Sequence, residues 1–266
     1  MINLPLFRST LKRNWILWLI FVSVISMYLV VMIAMYDPDD ISAIMSMIEL
    51  FPEDLMRAMN FSSAVTDLTS YLASWLYGML MTAFPLAYCI ILGNRLVAKS
   101  VDNGSFAYYL STPNSRVKII STLGIYAVLS TAFMFAATFG IGVVLSEATF
   151  PGLLDIPSFL KLNVITMLVN TVAIMITFFS SCLFNEVKNS LGIGAGITIF
   201  FYLMNMLGGV SSDAEILKKI SIYGFYDPVN VVRGGITWDI NLIYICIIVV
   251  LFVSSILVFK KRRLPL

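Results

Sequence analysis

Six long apolar runs divide this sequence, at about 15–36, 71–92, 119–145, 162–184, 190–207 and 242–259. A helix rising 1.5 Å per residue needs about 20 apolar residues to cross a hydrocarbon core of roughly 30 Å. Each run meets that length or nearly does. Inside the runs the apolar character is continuous rather than alternating. A membrane barrel would instead show alternating segments of about ten residues. Lipid offers no hydrogen-bond partner, so continuous runs fold as helices that pair every backbone N–H and C=O internally. The pattern predicts an all-α membrane protein with six spans and a single domain over residues 1–266.

The polar breaks between the runs carry the next layer of information. Between the second and third runs lies VDNGSFAYYLSTPNSRVKII, residues 101–120. The second span is predicted to continue as helix past its apolar part and to stop at the Asn103-Gly104 turn pair. Ser105 is placed to cap a short helix over 105–112, and Pro113 forces its end. Phe106, Tyr109 and Leu110 fall at i, i+3 and i+4, one apolar face on a two-turn polar helix. Such a helix is either a docking element for a soluble partner or an ordinary amphipathic loop at the interface. Two other breaks exceed linker length. Residues 37–70 are methionine-rich and predict short interfacial helices broken at Pro52. Residues 208–241 begin with Ser212 or Asp213 as a candidate cap and end in turn chemistry. The apolar character of this last stretch suggests a return into the membrane before the sixth span.

Charge orients the spans. With both termini on one side, that side holds Arg8, Lys12, Arg13, Arg95, Lys99, Arg116, Lys118, Lys188 and the four cations at 260–263. These are twelve of the 17 basic residues, set against only Asp102 and Glu186. Net charge is +10 on that side and −8 on the other, which makes the basic side cytoplasmic. Composition agrees, with 59% hydrophobic and 12% charged residues over 266 positions. A soluble domain carries roughly 25% charged residues. Residues 4–13 form a basic amphipathic segment ahead of the first span. They are expected to lie along the inner interface, with Arg8, Lys12 and Arg13 against anionic headgroups. Cys89, Cys182 and Cys246 are odd in number and scattered among apolar runs, so they read as small buried hydrophobes rather than disulfides.

Several chemistries are absent from the sequence. There is no histidine, which removes the commonest general base and metal ligand. No GxxxxGK[ST] loop occurs to cradle phosphates, so the chain has no ATP site of that kind. The spans hold no Asp, Glu, Lys or Arg away from their ends, unlike proton-coupled carriers and ion pumps. Polar content within the spans is mild and includes Asn170 in the fourth and Asn205 in the fifth. These residues serve either helix–helix hydrogen bonding or a weakly polar lining of a path. Gly192 and Gly196 stand in GxxxG register on the fifth span and mark a close interface, within the bundle or between copies.

The stretch after the second run resembles the permease subunits of the type-2 ABC exporters. That family carries there an acidic residue, a Gly-Ser/Thr step, an apolar helix and a Leu-Ser-x-Pro-x-x-Arg ending. This chain has Asp102, Gly104-Ser105, Leu110-Ser111, Pro113 and Arg116 in that order. It departs in having Asp for the usual Glu and Tyr109 where leucine is common. The motif covers about twenty residues, while the six-span layout covers the whole length. The resemblance implies a multi-pass protein of the bacterial cytoplasmic membrane and no nucleic-acid partner. It implies a separate ATPase subunit in two copies, which holds ATP and Mg and receives the helix around 105–112 in a groove. It also implies a second permease copy, identical or paralogous, and a path lined by the second and fifth spans. Relatives of this size export amphipathic or antimicrobial peptides, drugs, lipids or ions. The 15 methionines and uncharged spans favour a hydrophobic or amphipathic cargo. In size and character the chain is similar to exporters of phenol-soluble-modulin-type peptides.

Overall fold

The computed structural model describes residues 2–38, 52, 56, 67–210, 215–235 and 238–263. Among them there are helices and no strands, in this order: α1 (Leu4–Ala34), α2 (Leu68–Asp102), α3 (Phe106–Leu110), α4 (Arg116–Thr149), α5 (Ile156–Leu183), α6 (Val187–Val210), α7 (Glu215–Ile220), α8 (Pro228–Val232) and α9 (Trp238–Lys261). Six are long and apolar enough to cross a membrane, as the apolar runs predict. Most of 37–70, including the helices expected on either side of Pro52, lies outside the described residues, as do Ser212 and Asp213.

Local chemistry sets the starts of these helices. Asn3 accepts from the Leu6 N–H at 3.2 Å, with Pro5 in the first turn of α1. A capping box between Asp67 and Ser70 opens α2, Ser115 caps α4, and Asp155 caps α5 ahead of Pro157. One boundary differs from the sequence reading. Residues 4–13 are not a separate interfacial helix but the first turns of α1, which runs 31 residues, about 46 Å, without a break. Neither glycine nor proline follows Pro5 within it. Thr10 and Asn14, both buried, return their side chains to the carbonyls of Leu6 and Thr10, at 2.8 and 2.9 Å.

The bundle is built around α5. Of its most apolar window 78% is buried, against 22% in α1 and α6 and 17% in α9, so those three leave broad apolar faces outward. The main partner of α5 is α2, the least regular helix. It carries a π-helical segment at Ala73–Leu80, a proline at Pro85 and a break at Val97. Pro85 has no N–H to offer the Met81 carbonyl one turn earlier. Asn170 of α5 instead donates to that carbonyl at 3.4 Å, and to the Thr166 carbonyl at 2.9 Å. Further along α5, the Thr177 hydroxyl donates to the Cys89 carbonyl at 3.0 Å. At the Val97 break the freed Ala98 N–H donates to Ser181 Oγ at 2.6 Å. Asn170 and Ser181 of α5 thus serve the backbone of α2 at its interruptions by Pro85 and at Val97.

This contact leaves no room at Gly93, where a Cβ would fall 2.1 Å from Thr177 Oγ1 and 2.8 Å from its Cβ. Gly93→Ala is therefore expected to destabilise the bundle by about 1–3 kcal/mol, the range for overpacked cores. Thermal unfolding in detergent checks this, and an unchanged midpoint would mean that α2 and α5 sit further apart.

The segment before the last span returns into the bundle. The Tyr226 hydroxyl donates to the Tyr77 carbonyl at 2.9 Å, within the π-helical part of α2, and lies 3.0 Å from Thr166 Oγ1. Tyr77 and Thr166 stand about ten residues inside their helices, so Tyr226 reaches roughly 15 Å in from that end. Ser221 and Tyr244 tie the same segment to α6 and α9 through the carbonyls of Phe201 and Ile222, at 2.6 and 2.9 Å. Cys89 and Cys182 are buried as expected, but Cys246 is exposed because α9 turns that face outward.

Candidate functional site

The short helix α3 is met by the start of α1 through Arg13 and by the end of α9 through Phe259. Gly104, at φ +73°, makes the corner between α2 and α3 in a conformation that glycine adopts without strain. Ser105 does not cap α3. Its hydroxyl donates to the Ser100 carbonyl at 3.2 Å and to Asn103 Oδ1 at 2.7 Å, so Asn103 organises the corner instead. Asp102 and Pro113 are exposed on either side of α3. After α3, Ser111 and Thr112 fold their hydroxyls back onto the carbonyls of Tyr108 and Tyr109 at 3.0 and 2.6 Å.

The face of α3 differs from the expected one. Phe106 points inward and is 0% exposed, its ring 5.1 Å from Phe259 of α9 and 5.5 Å from Tyr109. Tyr109 and Leu110 are half-buried against the core. The reason is that an apolar face on an amphipathic helix goes to whatever apolar surface lies nearest, and here that surface is the end of α9. What remains outward is Ala107, Ser111 and Tyr108, the last 78% exposed.

Arg116 does not end freely. Its Nη1 donates to the Arg262 carbonyl at 2.7 Å. Arg262 in turn closes the C-terminus of α5, with Nη1 to the Cys182 and Ser181 carbonyls at 2.7 and 3.3 Å and Nε to Asn185 Oδ1 at 2.8 Å. Its guanidinium also stands over the Phe259 ring at 5.6 Å. A cation at a helix C-terminus meets the orphan carbonyls and the negative end of the dipole. Half-burial lowers the Arg262 pKa from its ordinary value. An arginine remains charged regardless. Phe106, Phe259, Arg262 and the end of α5 therefore form one connected block. Sequence reasoning treated Arg262 as one of four terminal cations and passed over Tyr108. Its position beside Asn185 follows only from how α5, α6 and α9 meet.

The remaining candidates separate. Arg8, Lys12 and Arg13 are all exposed, and Arg13 reaches Tyr109, with Nη1 donating to the hydroxyl at 3.4 Å. Asn170 serves the α2–α5 seam described above. Asn205 is buried on α6, and its Oδ1 meets no partner among the described residues. Among the described residues nothing lies within 4 Å of a Cβ added at Gly192 or Gly196, so neither packs against another described helix. The glycine of α6 that allows close approach to α5 is Gly194, whose Cβ would lie 3.1 Å from Ser180.

The family model described as "ABC-2 family transporter protein" matches residues 7–264. No curated protein matches the chain.

Proposed function

The chain belongs to the ABC-2 family of transporter proteins, and from that premise we propose that it is the permease of an ATP-driven exporter. It is a multi-pass membrane protein, and its family works with an ABC ATPase subunit. In our reading two copies of a separate ATPase each receive one α3, and two permeases enclose the path. Closure of the ATPase dimer then moves the α3 helices as rigid bodies. The observation that carries this reading is α3 itself, a short helix bolted to α9 through Phe106 while Tyr108 stands free. The cargo is hydrophobic or amphipathic, with short helical peptides favoured over sugars and metals. Supporting this, the buried polar groups of the spans are hydroxyls and amides rather than charges.

The GxxxG face of α6 supports pairing of permeases, since among the described residues nothing packs on Gly192 and Gly196. Reconstituting the permease with its ATPase in inside-out vesicles tests the proposal. Accumulation of a fluorescent amphipathic helical peptide is expected only with both subunits and ATP. Equal flux through the permease alone would establish a channel or carrier in its place.

A further inference from the structure

A groove of about 510 Å³ opens sideways between α1 and α4, and we propose that it holds the acyl chain of an anionic phospholipid whose headgroup sits on Arg8 and Lys12. Leu11, Trp15 and Trp18 of α1 form one wall, and Leu129, Phe133 and Ala136 of α4 the other. No charged side chain lines it. Trp18 is held in place because its indole N–H donates to the Ser130 carbonyl at 3.1 Å. Trp15 and Phe133 remain 52% and 64% exposed, so the described residues of the chain leave the groove open.

Charge selects the occupant. On a helix, residues three apart share a side, which sets Arg8 beside Leu11 and Lys12 beside Trp15. Both cations are exposed, and α1 contains no acid to neutralise them. Arg13, turned toward Tyr109, belongs to the other side. Basic edges beside apolar clefts between spans suit acidic headgroups, and tryptophans at such depths mark the lipid interface. A second copy is a poorer occupant. Two-fold pairing over this face would bring two identical basic edges together.

Trp15 and Trp18 report on the groove directly. The chain has four tryptophans, so a Trp75→Phe, Trp238→Phe background leaves only these two. In phosphatidylcholine vesicles, phosphatidylglycerol brominated on its acyl chain is expected to quench them at about 30-fold lower mole fraction than brominated phosphatidylcholine, each cation contributing roughly fivefold. Arg8→Gln with Lys12→Gln should remove that preference and leave the quenching itself. Ala136→Phe, which fills the groove, should weaken quenching by both lipids. Equal quenching by the two lipids in the unaltered groove would reduce the site to unselective lipid contact. Absence of quenching by either would mean that another polypeptide covers it. Each result overturns the proposal, and neither depends on the groove variants folding.

Discussion

Replacing Tyr108 with aspartate is expected to abolish recovery of the ATPase with the permease while leaving the permease folded in the membrane. Tyr108 is 78% exposed, and among the described residues its hydroxyl meets no hydrogen-bond partner. A charge there costs the fold little, but it would face a partner groove with an unpaired, desolvated carboxylate. Central aromatic anchors of interfaces typically cost 2 kcal/mol or more when lost, about thirtyfold in affinity. The inward residue behaves oppositely. Phe106→Ala opens a hole beside Phe259, and buried Phe→Ala substitutions cost about 3–5 kcal/mol of stability. Phe106 variants should thus lower the yield of folded permease itself, whether or not the ATPase is present. If Tyr108→Asp still co-purifies with the ATPase and hydrolysis is unchanged, α3 is not the docking element.

Replacing Arg262 with alanine is expected to separate ATP hydrolysis from transport. The exposed face of α3 is untouched, so the complex should assemble. The block from Phe106 through Phe259 to the end of α5 loses its clamp, because the Ser181 and Cys182 carbonyls and Asn185 Oδ1 lose their charged donor. Hydrogen bonds to charged groups contribute about 1.5–3 kcal/mol each. Arg262→Lys keeps the charge but not the planar fork that serves several acceptors at once, so rescue should be partial. Measured on the complex in vesicles, hydrolysis should persist while cargo uptake falls at least about tenfold for alanine, and less for lysine. Equal loss of both activities in alanine and lysine variants would make Arg262 a fold residue only.

Much of the architecture is legible in the sequence. Runs such as 119–145 mark spans because lipid admits only internally paired backbone. The Asn103-Gly104 corner and the Pro113 stop delimit α3 by local chemistry alone, and the ABC-2 motif from Asp102 to Arg116 points to the right family. Less visible were features that depend on a distant partner. Pro85 announces an interruption in α2, yet nothing local names Asn170 as the donor that answers it, 85 residues on. GxxxG drew attention to Gly192 and Gly196, while the glycine of α6 that packs on α5 is Gly194, since which side of α6 meets α5 is a matter of helix rotation.

By itself the sequence determined six helices, their order, the charge asymmetry of their ends and the limits of the short helix between the second and third spans. Those properties arise from the solvent, from helix caps and from turn residues, all of which act within a few positions. Only the tertiary structure decided that Phe106 faces the bundle and Tyr108 faces out, and that Arg262 closes the end of α5 rather than joining a free basic tail. So short a helix has no preferred inner side until another surface competes for its apolar residues. That surface, Phe259, comes from the far end of the chain.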